Sequence, residues 1–134
     1  MKKLYKTILV DDDATCVFIA QILMKKAGIT QGIYTAENGR QALELIERSC
    51  QKDYQGKDAC CPDLILLDIN MPVMNGFEFL EALDQRWGLN PQITRIYLLT
   101  SSTNPADVEK ASRYAIAGYI EKPLTLEKLI SLGL

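Results

Sequence analysis

Residues 7–15 read TILVDDDAT: four residues of strand-forming character that stop abruptly at three consecutive aspartates, Asp11, Asp12 and Asp13. A run this short, apolar and without alternation fits a strand buried on both faces, which sets the acids at its mouth. Such a cluster does not help folding. At roughly 6 Å and an effective dielectric near 20, each adjacent pair of carboxylates repels by about 3 kcal/mol. A solvated turn with a helix N-cap would use one aspartate, or two. A positive group is therefore expected beside them.

Outward from this stretch, apolar runs of strand length recur at residues 33–36, 64–68, 93–100 and 119–121, separated by segments of helix length. The first helix is expected over 14–27, with Val17, Phe18, Ile19, Ile22, Leu23 and Met24 as core candidates and Gly28 as its stop. The second follows Asn38-Gly39, with Ala42, Leu45, Ile46 and Ser49 on one stripe and Glu44, Glu47 and Arg48 outside it. A third spans about 76–87, with Phe77, Leu80, Leu83 and Trp87 at helical spacing. Asn104-Pro105-Ala106-Asp107 reads as cap, first position and acidic first turn of a fourth, and a fifth starts near Thr125. Five strands alternating with five helices imply an α/β fold, doubly wound, its parallel sheet built by right-handed crossovers and covered on both faces. Ligands of such sheets bind beyond the carboxyl ends of the strands.

The 134 residues suit one domain over 1–134, large enough to bury about two-thirds of its unfolded surface. No output domain is expected. A formal charge of −2, with no basic block, gives no electrostatic reason to bind nucleic acid or an anionic membrane. The apolar run after Lys2, Lys3 and Lys6 is too short for a signal peptide, and the expected address is the cytoplasm. Cys16, Cys50, Cys60 and Cys61 form no C-x-x-C pair, and the chain has no histidine, so reduced thiols are expected rather than zinc. Without histidine, no Ser-His or Cys-His nucleophile can form here, and any phosphohistidine step must lie on another protein. Residues 50–63 make a long polar connection, expected at the surface.

The strand ends carry Asp11-Asp12, Asp68, Thr100-Ser101 and Lys122-Pro123. Three carboxylates suit a hard divalent cation such as Mg2+, whose charge together with that of Lys122 would balance theirs. Carboxylates, a hydroxyl and an ammonium are also the parts that phosphoryl transfer requires, with an aspartate able to serve as nucleophile.

These residues resemble the response-regulator receiver domains of two-component signalling, in particular single-domain regulators of the chemotaxis type. ILVDDD is similar to the acidic opening of that family, LILLDINMPVMNGFEFL to its phosphoacceptor segment, LLTSS to its hydroxyl strand and GYIEKP to its lysine strand. The resemblance covers nearly the whole chain and implies a flavodoxin-like sheet of order 2-1-3-4-5. It makes Asp68 the phosphoacceptor, Asp12 a direct Mg2+ ligand, Asp11 a ligand acting largely through water, and Asn70 a donor of its backbone carbonyl to the metal. It assigns Thr100 and Lys122 to the phosphoryl oxygens, Tyr119 to the switch aromatic, Asn70 and Ser102 to tuning of phosphoryl lifetime, and a cis bond to Lys122-Pro123. Asp13 has no direct role in it and starts the loop into the first helix. The implied partners are a sensor histidine kinase or histidine phosphotransfer protein and a separate effector, with the chain a monomer or a phosphorylation-dependent dimer. The chain would catalyse its own modification only, and not be an enzyme otherwise.

Two rival readings remain. DDDAT satisfies the D-x-D-x-T pattern of haloacid-dehalogenase-like phosphatases, with Asp11 as nucleophile and Asp13 as general acid, but only Glu127 follows the lysine as a further metal-binding acid and Asp68 is left unexplained. A receiver-shaped docking module that is never phosphorylated would more naturally have lost an acid, the hydroxyl or the lysine.

Overall fold

The computed structural model describes residues 5–50, 62–87, 94–101 and 105–133. Strands β1 (Tyr5–Val10), β2 (Thr30–Ala36), β3 (Leu64–Asp68), β4 (Arg95–Thr100) and β5 (Gly118–Glu121) alternate with helices α1 (Ala14–Ala27), α2 (Gly39–Cys50), α3 (Gly76–Trp87), α4 (Pro105–Ala111) and α5 (Leu126–Ser131). The strands are parallel and ordered β2-β1-β3-β4-β5. The chain therefore forms the expected flavodoxin-like α/β fold.

Both faces of the sheet carry a core. Ile8, Val10, Ile65, Leu67, Ile96 and Leu98 point toward α2 and α3, where Phe77, Phe79, Leu80 and Leu83 meet them; Leu9, Leu64, Leu66, Leu99 and Ile120 point toward α1 and α5. Every residue of β3 is buried, as a central strand covered on both faces requires. Strands β1 and β2 begin earlier than their apolar runs, at Tyr5 and Thr30, because Tyr5 donates its N–H to Ile29 and pairs with Thr30 across an irregular step in register.

Helix α1 has its expected bounds and ends at Gly28 with φ 66°, the left-handed conformation glycine adopts without steric cost. Its core assignment needs correction. Ala20 and Met24 are buried, whereas Phe18, Ile19 and Ile22 are 63%, 46% and 41% exposed. Apolar residues lie all round this helix, so only the position of the sheet decides which of them are covered. Leu43 and Phe79 join the core without having been expected there. Pro105 opens α4 as anticipated, while Asn104, Ile93, Ser102, Cys60, Cys61 and most of the 50–63 connection lie outside the described residues, as do the side chains of Ser49, Cys50 and Trp87.

Candidate functional site

At the end of β1 the three aspartates part company. Asp11 stays in register, its N–H donated to the Ala36 carbonyl (3.0 Å), and its side chain is buried. Asp12 is exposed at the rim. Asp13 is the N-cap of α1, more than the loop start expected of it: its carboxylate accepts from the N–H groups of Thr15 (2.9 Å) and Cys16 (3.4 Å), and these bonds hold its pKa below the usual carboxylate value. A carboxylate so engaged is poorly placed to act as the general acid of the phosphatase scheme. Asp13 in turn donates its own N–H to Asp11 Oδ1 (2.9 Å), fixing the rotamer of the buried acid.

Asp68 closes β3, and the loop after it folds back tightly. Gly76 donates its N–H to the Ile69 carbonyl (2.9 Å), and a Cβ at position 76 would lie 2.6 Å from the Asp68 carbonyl oxygen, a distance no side chain tolerates. This is the physical reason for glycine at the end of DINMPVMNG. Within the same loop, exposed Val73 has φ 69°, a conformation that costs a β-branched residue on the order of 1–2 kcal/mol. Sequence reading missed this strain, because nothing in Pro72-Val73-Met74 marks the middle residue as left-handed. Asn75 and Glu78 then start α3 with a reciprocal capping box, each side chain bonded to the other's N–H (2.9 and 3.0 Å).

Carboxylate oxygens of Asp11, Asp12 and Asp68 lie within 4.8 Å of one another. The Lys122 ammonium reaches them from β5, 2.9 Å from Asp11 Oδ2 and 3.5 Å from Asp68 Oδ2. Burial, followed by the charge of Asp11, pushes the Asp68 pKa up to about 6, against the opposing effects of Lys122 and the Asn70 N–H. Burial acts to lower the Lys122 pKa, but its bond to Asp11 and the charges of both acids outweigh this and raise it. One ammonium against three acids leaves an excess of negative charge. An all-oxygen donor set with that imbalance fits a hard divalent cation.

Thr100, buried at the end of β4, accepts the Lys122 N–H on its carbonyl (2.7 Å), so hydroxyl and lysine strands are joined at the site. The Lys122-Pro123 bond is cis, as the resemblance implied. Tyr119 is half-buried and donates its hydroxyl to the carbonyls of Asp107 (3.1 Å) and Val108 (3.0 Å) in α4; burial and the nearby Asp107 raise its pKa. Asn70 is exposed just beyond Asp68. Asp11, Asp12, Asp68, Asn70, Thr100 and Lys122 thus lie around the carboxyl ends of β1, β3, β4 and β5, while Tyr119 lies within β5 and bonds to α4.

A doubly wound parallel sheet carrying buried acids against a lysine at its carboxyl edge defines an α/β domain with a charged site at the switch between its strands. The response regulator receiver domain family matches residues 7–132, and the chain belongs to that family. It is 31% identical over 129 residues to the two-component response regulator ORR41 of Oryza sativa, covering 96% of this chain and 91% of that protein. A two-component response regulator ARR10 of Arabidopsis thaliana is 29% identical across 92% of the chain, which spans only 20% of that longer protein. Among solved structures, a two-component response regulator from Cytophaga hutchinsonii superposes with a TM-score of 0.84 at 27% identity, covering 98% of this chain and 95% of that one. Receiver domains are signalling domains of two-component systems, and no helix among the described residues is long and apolar enough to cross a membrane.

Proposed function

We propose that the chain is a phosphorylation-activated switch in which Asp68 accepts a phosphoryl group from a phosphohistidine on a sensor kinase or phosphotransfer protein. The observation that carries this reading is a buried carboxylate, Asp68, beside a lysine ammonium within a three-acid cluster. In the metal-free site burial raises the Asp68 pKa to about 6; the ionised carboxylate, which a bound divalent cation would favour, is the form that can attack phosphorus. Its oxygen forms a bond to phosphorus as the P–N bond to the donor imidazole breaks; the electron pair of that bond stays on nitrogen, and the imidazole leaves neutral with the proton already carried by its other ring nitrogen or taken from water. Asp12, Asp68, the Asn70 carbonyl and, through water, Asp11 are the groups that would hold Mg2+. When bound, the ion supplies charge neutralisation of the transferring oxygens. Lys122 and the Thr100 hydroxyl take the remaining oxygens, and hydrolysis later returns Asp68 to its free form.

Phosphorylation draws Thr100 and Lys122 toward the new oxygens, and Tyr119 moves into the space Thr100 leaves, altering the α4, β5 and α5 face. A separate effector protein reads that face by contact, in the cytoplasm. Phe18, Ile19 and Ile22, exposed on the helix that Asp13 caps at the rim of the site, offer the donor an apolar contact surface. Treatment with acetyl phosphate and Mg2+ tests the proposal. Wild type is expected to gain acid-labile, hydroxylamine-sensitive phosphate and Asp68→Asn to gain none; undiminished label on Asp68→Asn rejects the assignment, and no label on wild type favours a docking module.

A further inference from the structure

Four helices that border the site begin with a side-chain cap; α2 and α3 complete theirs with a reciprocal acceptor at the third helical position, α1 has the neutral Cys16 there, and α5 alone of the four places a cation there. In α2, Asn38 accepts the Gln41 N–H and Gln41 reaches back to the Glu37 N–H, both at 2.9 Å. In α3, Asn75 and Glu78 form the reciprocal box. In α5, Thr125 Oγ1 accepts the N–H of residue 128 (3.2 Å), so the cap is present, but the third helical position holds Lys128. A cation there opposes the helix dipole and cannot accept the spare N–H that Glu or Gln would take. Violation of a local rule without local gain points to a gain elsewhere.

That gain is visible in the lysine's own bonds. Lys128 Nζ donates to the Glu121 carbonyl (2.7 Å) and to the Pro123 carbonyl (2.9 Å). These two carbonyls flank Lys122, whose N–H is held by Thr100 on the other side (2.7 Å). One ammonium therefore straddles the segment that carries the site lysine and pins it to the first turn of α5. We infer that Lys128 is a positioning residue, which acts through the β5–α5 loop to hold the Lys122 ammonium against Asp11 and Asp68. Lys128 touches neither acid in this arrangement. This inference rests on the phosphoryl-transfer reading of the site.

Loss of the tie has two consequences of opposite sign. Lys122 would meet the phosphoryl oxygens less often, so phosphorylation slows. Its hold on Asp11 Oδ2 would also loosen, so a divalent cation competing for that acid binds more tightly. A residue that only stabilised α5 would not produce this opposed pair. Lys128→Met keeps most of the apolar stem and removes the donors, and Lys128→Arg restores donors; Lys122→Ala and the Lys122→Ala/Lys128→Met double variant complete a cycle.

In Lys128→Met, metal-free amide exchange at Lys122, whose N–H is bonded to the Thr100 carbonyl, is expected to quicken by about tenfold. Mg2+ affinity, read by calorimetry, should rise by about twofold. The initial rate of labelling by acetyl phosphate should fall by roughly three- to tenfold at saturating Mg2+. These changes should persist at about 0.5 M salt, where a diffuse charge effect is screened, and Lys128→Arg should reverse most of them. On the Lys122→Ala background, Lys128→Met should leave Mg2+ affinity unchanged. An unaltered exchange rate and Mg2+ affinity in Lys128→Met, or an equal affinity change with and without Lys122, overturns the inference. If wild type itself takes no label, the phosphorylation reading fails, while exchange and Mg2+ affinity still report on Lys128.

Discussion

The two sides of the site are built differently. On one side, Asp11 and Asp68 leave β1 and β3, two of the three inner strands of the sheet, with Asp68 closing a strand whose five residues are all buried. On the other, Lys122 and Tyr119 sit on or next to β5, a four-residue edge strand with one fully buried residue, held by the short helices α4 and α5. The carboxylates are thus set by the most constrained part of the fold and the cation by one of the least. Groups that must keep a fixed geometry lie where local opening is costly, and groups that must respond lie where it is cheap. Under the proposed function, the acid that accepts the phosphoryl group lies at the centre of the sheet, and the residues that respond to it, Lys122 and Tyr119, lie at the edge.

The most severe way to break this division is to remove the edge cation. Lys122→Ala leaves Asp11 and Asp68 buried and facing each other without a positive partner, and urea denaturation in chelator is expected to show a loss of on the order of 2–3 kcal/mol. Added Mg2+ should restore much of it, since it supplies charge to the same acids. A variant equally stable with and without metal would mean that the ammonium does not balance the cluster.

A smaller effect of opposite sign is expected at the centre. The Asp68 pKa is raised by burial to about 6, so the folded chain binds this proton more tightly than the unfolded chain, and stability falls as pH rises between about 4 and 6. Above that window the ionised form is a standing cost in the metal-free protein. Asp68→Asn removes it and should raise the chelator-treated Tm at pH 7.5 by about 3 °C or more, with the advantage shrinking toward pH 5. A constant difference across that range would show that the shift comes from another group.

Much of this was legible in the chain. The strand runs end at acids, a hydroxyl or a lysine, and glycine, asparagine and proline punctuate the helices, so element order and the site's principal residues follow from spacing and local chemistry. What was not legible depends on tertiary context. The apolar residues of α1 encircle it, so sequence could not say that Phe18, Ile19 and Ile22 face outward. Asp13 looks like its two neighbours, and only the turn into α1 makes it the cap. Lys128 reads as a surface charge until the loop before α5 curls under its ammonium.

Val73 is the least expected of these features, and it gives the mildest test. Its left-handed backbone lies in the loop that Gly76 closes against Asp68. Val73→Asn, a residue that adopts this conformation more readily, should add about 1 kcal/mol of stability without altering the acid cluster. A neutral or destabilising outcome would mean that the strain is relieved by contacts of the valine itself.

Borohydride trapping of the phosphorylated chain, followed by peptide mass spectrometry, most directly addresses the claim that the buried acid closing β3 is the nucleophile. Reduction of the acyl phosphate is expected to leave homoserine at position 68 and nowhere else. Homoserine at position 11 or 12, or a labelled chain with residue 68 unmodified, would contradict it.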